Sequence, residues 1–427
     1  MNASTVVADD CLTHPPRDAI ALRRRASRYG ERNFIFDPEA AVNGLRRPLT
    51  PVEHDWLEIL AALYAADKLC PRGSDIDYNR HIVLHLPVRE PSHWTPFTQR
   101  IERLYGELTL DRLSLHLLQA DSPITWRPKS KPFESFDSVA LFSGGVDSFA
   151  GAVILSAAGR TPLLVSHAAS GAIDRALKDL APAATPGYGV SPRRVLARVL
   201  GAEVEGSERS RSMLYMGVAS AIAAVQQVDE VYLNENGIMA LHVPIAVSRA
   251  GSFSTKTANP LIMRDMAILA SDALGAQVNI RNNLLAMTKP EVVDRLGHVA
   301  PAAAALLDRT ISCFSIGRNG RHCGWCIPCL IRRVSFEFAR VSDAEYLHDP
   351  WDSKPHNAGS EDNLGQLLTF AQTVSRAPDA FLERRYCEMH NTGPDLTVGE
   401  SYAMHRRWAN QVLAVATSHT YSRGLLP

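Results

Sequence analysis

The sequence predicts an α/β protein with a parallel-sheet core, preceded by an α+β N-terminal region and followed by a helical C-terminal region. Three observations support this. Short apolar segments alternate with helical segments between residues 138 and 281, as in βαβ units. A Ser-Gly-Gly-x-Asp-Ser segment follows the first of these strands, at the edge where parallel sheets bind ligands. Four cysteines cluster between residues 313 and 329.

The composition is that of a globular protein, and the 427 residues suffice for two or three domains. Hydrophobic residues make up 46% and charged residues 21%, so the chain can bury a large core. The 45 basic residues balance the 45 acidic ones, so we expect no strong nucleic-acid binding. No apolar run approaches the roughly 18–20 residues that span a bilayer. No secretory signal is visible either, so we expect a cytoplasmic protein with no membrane partner.

Residues 1–136 are expected to form a separate α+β region of unassigned role. Apolar spacing predicts helices and strands in this order: helix Trp56–Cys70, strand His81–Pro87, helix Trp94–Leu108 and strand Arg112–Leu118. Two prolines and mixed charge at 125–137 predict a linker to the next region.

The core region is expected at 137–335 and the helical C-terminal region at 336–427. The predicted core strands are Ser138–Phe142, Thr161–His167, Glu230–Asn234 and Gln277–Arg281. The predicted core helices are the one ending near Ala158, Arg193–Leu200, Ser212–Gln227 and Ile262–Leu274.

The segment after the first core strand has the features of a phosphate-binding loop. Gly144 and Gly145 let the backbone approach an anion because no Cβ intervenes. Their N–H groups, with those of the helix that Val146 opens, are expected to point at that anion. Ser143 and Ser148 add hydroxyl donors. The alternative is an ordinary glycine turn with polar helix caps, but the strand–turn–helix context favours nucleotide binding.

Asp147 has a different expected role, because a carboxylate cannot donate to a phosphate. We expect it to hold Mg²⁺ that bridges the phosphates of the nucleotide. The loop lacks the Gly-Lys-Ser/Thr of a Walker motif.

The cysteine cluster has the spacing of a metal site. Cys313, Cys323, Cys326 and Cys329 provide four thiols, the last three at Cys-x-x-Cys spacing. Tetrahedral Zn²⁺ takes four such ligands, and with all four from protein the site is structural. A redox pair at Cys-Gly-Trp-Cys is the alternative, but the two further cysteines favour zinc.

The loop resembles that of the PP-loop ATP pyrophosphatases, which have an adenine nucleotide alpha hydrolase-like fold. In that family the loop grips the β- and γ-phosphates of ATP. A substrate oxygen attacks the α-phosphorus, which gives an adenylated intermediate and pyrophosphate. The resemblance therefore implies ATP and Mg²⁺ as cofactors and places Asp147 and Ser148 among the catalytic residues.

With the cysteine motif and the following Arg332, the chain resembles the QueC family, the 7-cyano-7-deazaguanine synthases, over about 137–335. Ser210–Tyr215 and Thr288–Glu291 match that family more loosely. The resemblance implies that a 7-carboxy-7-deazaguanine carboxylate is adenylated and then passed to ammonia. It also makes Arg211 and Lys289 candidates for contacts to phosphate or carboxylate, Lys289 as a catalytic residue. Solvated cations at helix starts are the alternative.

Two positions depart from the QueC pattern. His167 ends the second core strand where the family has a different segment, and either a substrate contact or a structural histidine fits it. Glu235, in an Asn-Glu-Asn-Gly turn, fits a contact to the substrate base or a metal, or a surface loop acid.

The chain is also about twice the family's length. Its added regions resemble the enlarged QueC-like proteins of bacterial anti-phage operons, especially the QatC component of Qat systems. That resemblance implies transfer of the acyl group to an amine of a partner protein. The alternatives are a housekeeping nitrile-forming synthase, a tRNA-thiolating PP-loop enzyme and a non-catalytic ATP-binding scaffold.

Overall fold

The structure is a computed structural model, in which helices flank two β-sheets. The described residues are 3–24, 30–73, 79–121, 126, 135–167, 171–186, 191–201, 205–206, 209–245, 256–313, 316, 321–349, 351 and 362–426.

Ten strands form the two sheets of the described part of the chain. Four of them make the first sheet: β1 Ala3–Ala8, β2 Ile20–Leu22, β4 His81–Val88 and β5 Arg112–Gln119. The others make the second: β3 Phe34–Asp37, β6 Ser138–Leu141, β7 Pro162–His167, β8 Arg193–Val199, β9 Glu230–Tyr232 and β10 Asn279–Arg281.

The helices lie between the strands and at the C-terminal end. Up to the last strand they are α1 Glu39–Val42, α2 Pro51–Leu69, α3 Pro91–Trp94, α4 Thr98–Thr109, α5 Val146–Ala157, α6 Ala172–Ala184, α7 Arg211–Gln226, α8 Gly237–Ala240 and α9 Pro260–Leu274. Beyond it they are α10 Lys289–Val299, α11 Pro301–Ala304, α12 Ile327–Phe338, α13 Asn363–Arg376, α14 Asp379–Arg385, α15 Val398–Ser418 and α16 Thr420–Gly424. Short 3₁₀ turns occur at Thr95–Phe97, Leu307–Arg309 and Cys387–His390.

The second sheet is the predicted parallel core. Its strand order is β10-β9-β6-β7-β8-β3, and the five strands from β10 to β8 run parallel. Helices α5, α6 and α10 pack with one hydrophobic cluster, while α7 and α9 belong to the other. Because β6 is central, the loop that follows it emerges in the middle of the carboxyl edge, where such sheets bind ligands.

The N-terminal region is α/β in arrangement rather than the predicted α+β. Its sheet, in the order β2-β1-β4-β5, is parallel at every pairing. Strands β4 and β5 are joined through α4, and a helical crossover of this kind brings two strands side by side in the same direction. The apolar alternation of the strands was readable in the sequence, but their relative direction was not.

The N-terminal region packs against the core and contributes one strand to the core sheet. Strand β3 pairs antiparallel with β8 and so forms one edge of the core sheet. Helix α2 packs on α7, where the indole N–H of Trp56 donates to the carbonyl oxygen of Gly217 at 2.8 Å. The division into three domains at residues 136 and 335 stays a prediction, and most of the predicted linker at 125–137 lies outside the described residues.

One predicted core helix is wrong. Residues 193–200 were predicted to be helical, but Arg193–Val199 is strand β8. This strand pairs with β7 on one side and β3 on the other, so two sets of backbone hydrogen bonds outweigh the local helical preference.

The predicted helical C-terminal region is present and supports the start of α10. Helix α15 packs along α13 and contacts α12. From α15, Gln411 accepts a hydrogen bond from the Thr288 hydroxyl at 2.8 Å, and Arg407 pairs with Glu291 at 2.8 Å. Within the described ranges, no helix is long and apolar enough to cross a membrane.

Candidate functional site

The loop between β6 and α5 has a backbone conformation that favours glycine at position 144 and a close backbone contact at position 145. Gly144 has a φ of +80°, a conformation that residues with a side chain rarely adopt. A Cβ on Gly145 would lie 3.3 Å from the carbonyl oxygen of Ile311, which belongs to the segment covering the loop. The predicted contacts of these glycines to phosphate stay predictions.

The two serines of the loop bind each other. The Ser143 and Ser148 hydroxyl oxygens are 3.0 Å apart, and Ser148 donates to the carbonyl oxygen of Gly145 at 3.2 Å. These hydrogen bonds connect the two ends of the loop. Both serines, together with Val146, also line a cavity. Their predicted binding to a nucleotide is not tested by this geometry and stays a prediction.

Asp147 and Lys289 lie far apart in the sequence but meet in the structure. The Lys289 ammonium is 2.5 Å from Oδ2 of Asp147, and the two residues are only 8% and 5% exposed. Lys289 is the first residue of α10, whose start is fixed by a capping box between Thr288 and Glu291. Burial raises the pKa of Asp147, but the ammonium and hydrogen bonds from a neighbouring loop hold it below its ordinary value.

That neighbouring loop is the Asn-Glu-Asn turn at the carboxyl end of β9. The Asn236 amide nitrogen is 3.2 Å from Oδ2 of Asp147 and 3.2 Å from Oε1 of Glu235. Burial, together with the adjacent Asp147 carboxylate, raises the pKa of Glu235 well above its ordinary value. Glu235 is half-buried and lines the cavity described below, so it is not the surface loop acid of the simpler interpretation.

Two buried polar atoms of this site have no hydrogen-bond partner within the described part of the chain. They are Oδ1 of Asp147 and the amide nitrogen of Asn234. Both residues are at least 95% buried, at 5% and 4% exposed. Ordered water, an ion or a ligand completes buried polar atoms of this kind in native proteins.

The cavity has a volume of about 250 Å³ and brings most of the predicted loop residues together with Lys289. Its lining residues are Ser143, Gly145, Val146, Asp147, Ser148, Asn234, Glu235, Met239, Lys289, Ile311, Ser312, Pro328 and Ile331. These residues come from the loop between β6 and α5, the turn after β9 with α8, the start of α10, the segment that leads to the cysteines, and α12.

Arg211 and His167 do not line this cavity. Arg211 is exposed at the first position of α7, so its predicted contact to phosphate stays a prediction. His167 ends β7, the strand next to β6, and its ring packs edge-on against Tyr215 at a centroid distance of 5.4 Å. Neither of the two roles considered for His167 is tested.

The four cysteines of the predicted metal site come together. The sulfur atoms of Cys313, Cys323, Cys326 and Cys329 all lie within 4.8 Å of one another. Cys313, Cys323 and Cys329 are buried, and all four are free thiols. Four thiols at this separation form a set of ligands that can bind zinc in a closed tetrahedral site.

A buried arginine links this cluster to the phosphate loop. Arg332 in α12 is fully buried, pairs with Asp343 at 2.7 Å and donates to the carbonyl oxygen of Thr310 at 2.9 Å. The next residue, Ile311, donates its N–H to the carbonyl oxygen of Gly144 at 2.9 Å. Thr310 and Ile311, which precede Cys313, are thus bound to α12 through Arg332 and to the β6–α5 loop through Gly144.

The roles of Asn234, Asn236 and Arg332 were not assigned from the sequence. The two asparagines follow β9, which pairs with β6, so their side chains meet the phosphate loop at the same sheet edge. The sequence did offer one signal for the two asparagines, because they are polar residues at the end of a buried strand. Arg332 was visible only as a position in the cysteine motif.

The fold and the site define the class of this protein as an α/β protein with a PP-loop-like core and an accompanying four-cysteine cluster. Comparison with known proteins narrows this class. Residues 211–340 match the family described as "Queuosine biosynthesis protein QueC". The matched range includes Lys289 and all four cysteines and begins after the phosphate loop.

The individual relatives are 7-cyano-7-deazaguanine synthases. Those of Hydrogenovibrio crunogenus and Aromatoleum aromaticum are each 26% identical over 136 residues, and that of Saccharophagus degradans is 27% identical over 139 residues. Each match covers 31% of this chain and 53%, 54% and 55% of the relative. The chain thus spans about half the length of the curated relatives it matches. Part of this chain is thus similar to the QueC family and weakly homologous to these synthases.

Proposed function

We propose that this protein is an ATP-dependent ligase that adenylates a carboxylate and passes the acyl group to an amine. The substrate class is a carboxylated deazapurine, with 7-carboxy-7-deazaguanine as the first candidate. The observation that carries the proposal is the meeting of Asp147 and Lys289 beside the glycine loop, in a chain homologous to 7-cyano-7-deazaguanine synthases.

The residues at the cavity fit ATP and Mg²⁺. The loop from Ser143 to Ser148 offers backbone N–H groups and hydroxyls to phosphate oxygens. Asp147 has one oxygen without a hydrogen-bond partner among the described residues, and Mg²⁺ prefers carboxylate oxygens. Bound there, Mg²⁺ would neutralise charge on the phosphates. The four cysteines would hold Zn²⁺, which would have a structural role.

The proposed reaction has two steps. A carboxylate oxygen of the substrate attacks the α-phosphorus of ATP, so a new P–O bond forms while the bond to the β-phosphate oxygen breaks and pyrophosphate leaves. Lys289 and the N–H groups of the loop stabilise the charge that develops on pyrophosphate. The amine then attacks the acyl carbon, loses a proton and expels AMP.

The test is incubation of the protein with ATP, Mg²⁺, 7-carboxy-7-deazaguanine and an ammonium salt as the source of the amine. We expect AMP and pyrophosphate in equal amounts, and release of ADP instead would contradict the reaction class. Asp147→Asn should abolish AMP formation. Asp272→Asn is the matched control, because Asp272 is 54% exposed and pairs only with surface Arg100 among the contacts described for it.

We further propose that the amine belongs to a partner protein in anti-phage defence. The support is the resemblance to QatC-type proteins and the large part of the chain outside the QueC match. Mass spectrometry of proteins encoded beside this one and co-expressed with it should reveal a deazaguanine adduct on a lysine or an N-terminus. Because the relatives are named 7-cyano-7-deazaguanine synthases, free nitrile product is the second candidate outcome, and it would refute the partner proposal.

A further inference from the structure

Strand β10 is one edge of the core sheet, and no described strand pairs with its outer side. On its inner side, the N–H of Asn279 donates to the carbonyl oxygen of Asp229 at 2.7 Å. The carbonyl oxygen of Arg281 accepts from the N–H of Leu233 at 2.9 Å. Because alternate residues of a strand direct their backbone groups to opposite sides, the N–H and carbonyl oxygen of Ile280 face outward. Free groups at a sheet edge can pair with the backbone of another extended segment.

A groove with a volume of about 440 Å³ lies along this outer edge and is lined by β10 and helix α9. Its apolar lining includes Met263, Ile268 and Leu285. The Ile268 side chain is 48% exposed, although it is large and apolar. In strand addition the backbone pairs with the sheet edge while alternate side chains enter pockets beside it, and the groove offers such a pocket.

Asn282 connects the groove to the proposed reaction site. It lines the groove, and its side chain binds the backbone of Glu235 twice. Oδ1 of Asn282 accepts from the Glu235 N–H at 3.1 Å, and the amide nitrogen donates to the Glu235 carbonyl oxygen at 2.7 Å. Because Glu235 lines the cavity that contains Asp147 and Lys289, the carboxyl end of β10 lies beside that cavity.

The groove has a carboxylate at this same end. Asp395 is exposed and lines the groove. The pKa of Arg281, the last residue of β10, is raised by its hydrogen bond to Glu230 and, to a smaller extent, by the charge of Asp395. Because Glu230 engages Arg281 at 2.6 Å, Asp395 can attract a further cation.

We propose that this groove binds an extended segment of another polypeptide, which pairs antiparallel with β10 and brings its amino end to Asn282 and Asp395. Antiparallel pairing places the amino end of the segment at the carboxyl end of β10, where Asp395 attracts its ammonium group. The inference rests on the proposed function for the role of this segment as the acyl acceptor. Docking itself depends on the strand edge, the apolar lining and the carboxylate.

The test uses the full-length protein and the peptide Ala-Val-Thr-Val-Thr-Val, with a free amino end and a fluorophore at its carboxyl end. Fluorescence anisotropy measures binding without nucleotide or substrate, and wild type should bind the peptide saturably. Two analogues carry N-methyl groups, one at its valines and the other at its threonines. At least one should bind about tenfold more weakly, because alternate N–H groups of the peptide face the sheet edge. Absence of saturable binding, or equal binding of all three peptides, overturns the strand pairing.

Ile268→Arg tests the groove. It should weaken binding of the peptide at least about tenfold, because a charge replaces an apolar contact. Val299→Arg is the matched control, since Val299 is 44% exposed and lies outside the groove, and it should bind as wild type does. Equal affinities of Ile268→Arg and wild type overturn the docking site. Thermal unfolding checks that Ile268→Arg is folded, and Ile268→Thr replaces it if it is not.

Asp395→Asn tests the orientation of the peptide. It should weaken binding of the free-amine peptide about threefold, as expected for an exposed ion pair. The N-acetylated peptide should bind equally to Asp395→Asn and wild type. If Asp395→Asn binds the free-amine peptide as wild type does, the amino end does not lie at Asp395.

The outcome is separate from that of the proposed function. With an ammonium salt as the amine, Ile268→Arg should release AMP as wild type does, because the groove lies outside the cavity. Peptide binding that depends on Ile268, without AMP release from the wild type, would support the groove and refute the ligase. AMP release from a protein that binds no peptide would do the reverse.

Discussion

Arg332 and Thr310 form a double contact that connects the cysteine cluster to the phosphate loop. Nη1 of Arg332 is 2.7 Å from the hydroxyl oxygen of Thr310 and 2.9 Å from its carbonyl oxygen. Helix α12, which carries Arg332, begins directly after Cys326. The residue after Thr310 binds the backbone of Gly144. Arg332 therefore connects the helix that follows the cysteine cluster to the segment that covers the cavity.

Replacing Arg332 with methionine should destabilise the protein and weaken ATP binding. The change removes the buried partner of Asp343 and the guanidinium donor to the Thr310 carbonyl oxygen. Breaking a buried pair in this way typically costs about 3–5 kcal/mol. Urea denaturation would measure the free energy of unfolding, and titration calorimetry the affinity for ATP.

Arg333→Met is the matched control for Arg332→Met. Arg333 is the next residue of α12, is 25% exposed, and pairs with Asp349 and Glu337 near the surface. Surface pairs contribute roughly 0–1 kcal/mol, so this variant should be nearly as stable as wild type and bind ATP equally well. Equal losses in both variants would show that Arg332 does not anchor the covering segment.

Cys329→Ser should remove the metal and disturb the cavity. A tetrahedral zinc site needs all four ligands, so we expect about one zinc per chain in wild type and close to none in this variant. Because metal binding contributes to folding stability, the midpoint of thermal unfolding should fall, and ATP affinity should fall with it through Arg332. Atomic absorption gives the zinc content. Cys387→Ser, at an exposed cysteine outside the cluster, should keep both zinc and ATP binding.

Local motifs were predictable from the sequence because each depends on residues close together in the chain. The loop from Ser143 to Ser148 contains glycines and hydrogen bonds of its own, and the four cysteines lie within 17 residues of one another in the chain. The strand at 193–199 was mistaken for a helix because its conformation comes from pairing with β3 and β7, which lie far away in the sequence.

Contacts between distant elements explain what the sequence left open at the site. Lys289 and Asp147 were separate candidates for separate tasks, and only the sheet order and the start of α10 place them 2.5 Å apart. The sequence left two alternatives for Glu235, a surface position and a position in the site. The residues near Glu235 in the sequence do not reveal that the turn after β9 packs beside the β6 loop. That arrangement follows from β6 and β9 being neighbours in the sheet.

Gly144→Ala should weaken ATP binding beyond its effect on stability. With φ at +80°, a side chain at this position strains the backbone by roughly 1–2 kcal/mol. The nearest atoms to its Cβ would be 3.6 Å away, so strain and not collision sets the stability loss. Nucleotide affinity should fall further, because the strained loop relaxes away from the shape that presents its N–H groups. Fluorescence titration with a labelled ATP analogue would measure this affinity.

Gly159→Ala is the control that separates the loss of stability from the loss of affinity for ATP. Gly159 has a φ of +83°, follows α5 at its other end, and has open space where a Cβ would lie. It should lose about as much stability as Gly144→Ala while keeping the wild-type affinity for ATP. If Gly144→Ala also binds ATP as wild type does, the β6 loop is not the nucleotide site.

His405 should make the protein less stable as the pH falls from 6.5 to 4. This residue of α15 is fully buried, and burial lowers its pKa from 6.5 to about 4. Between these values the unfolded chain binds a proton that the folded chain does not, so the stability present above pH 6.5 is lost as acid is added. The shift of about 2.5 corresponds to a loss of up to about 3 kcal/mol. His405→Phe cannot take up this proton. The difference in unfolding free energy between pH 7.5 and pH 4.5, measured by urea denaturation, should therefore be smaller in the variant than in wild type, and equal differences would show that His405 does not titrate on unfolding.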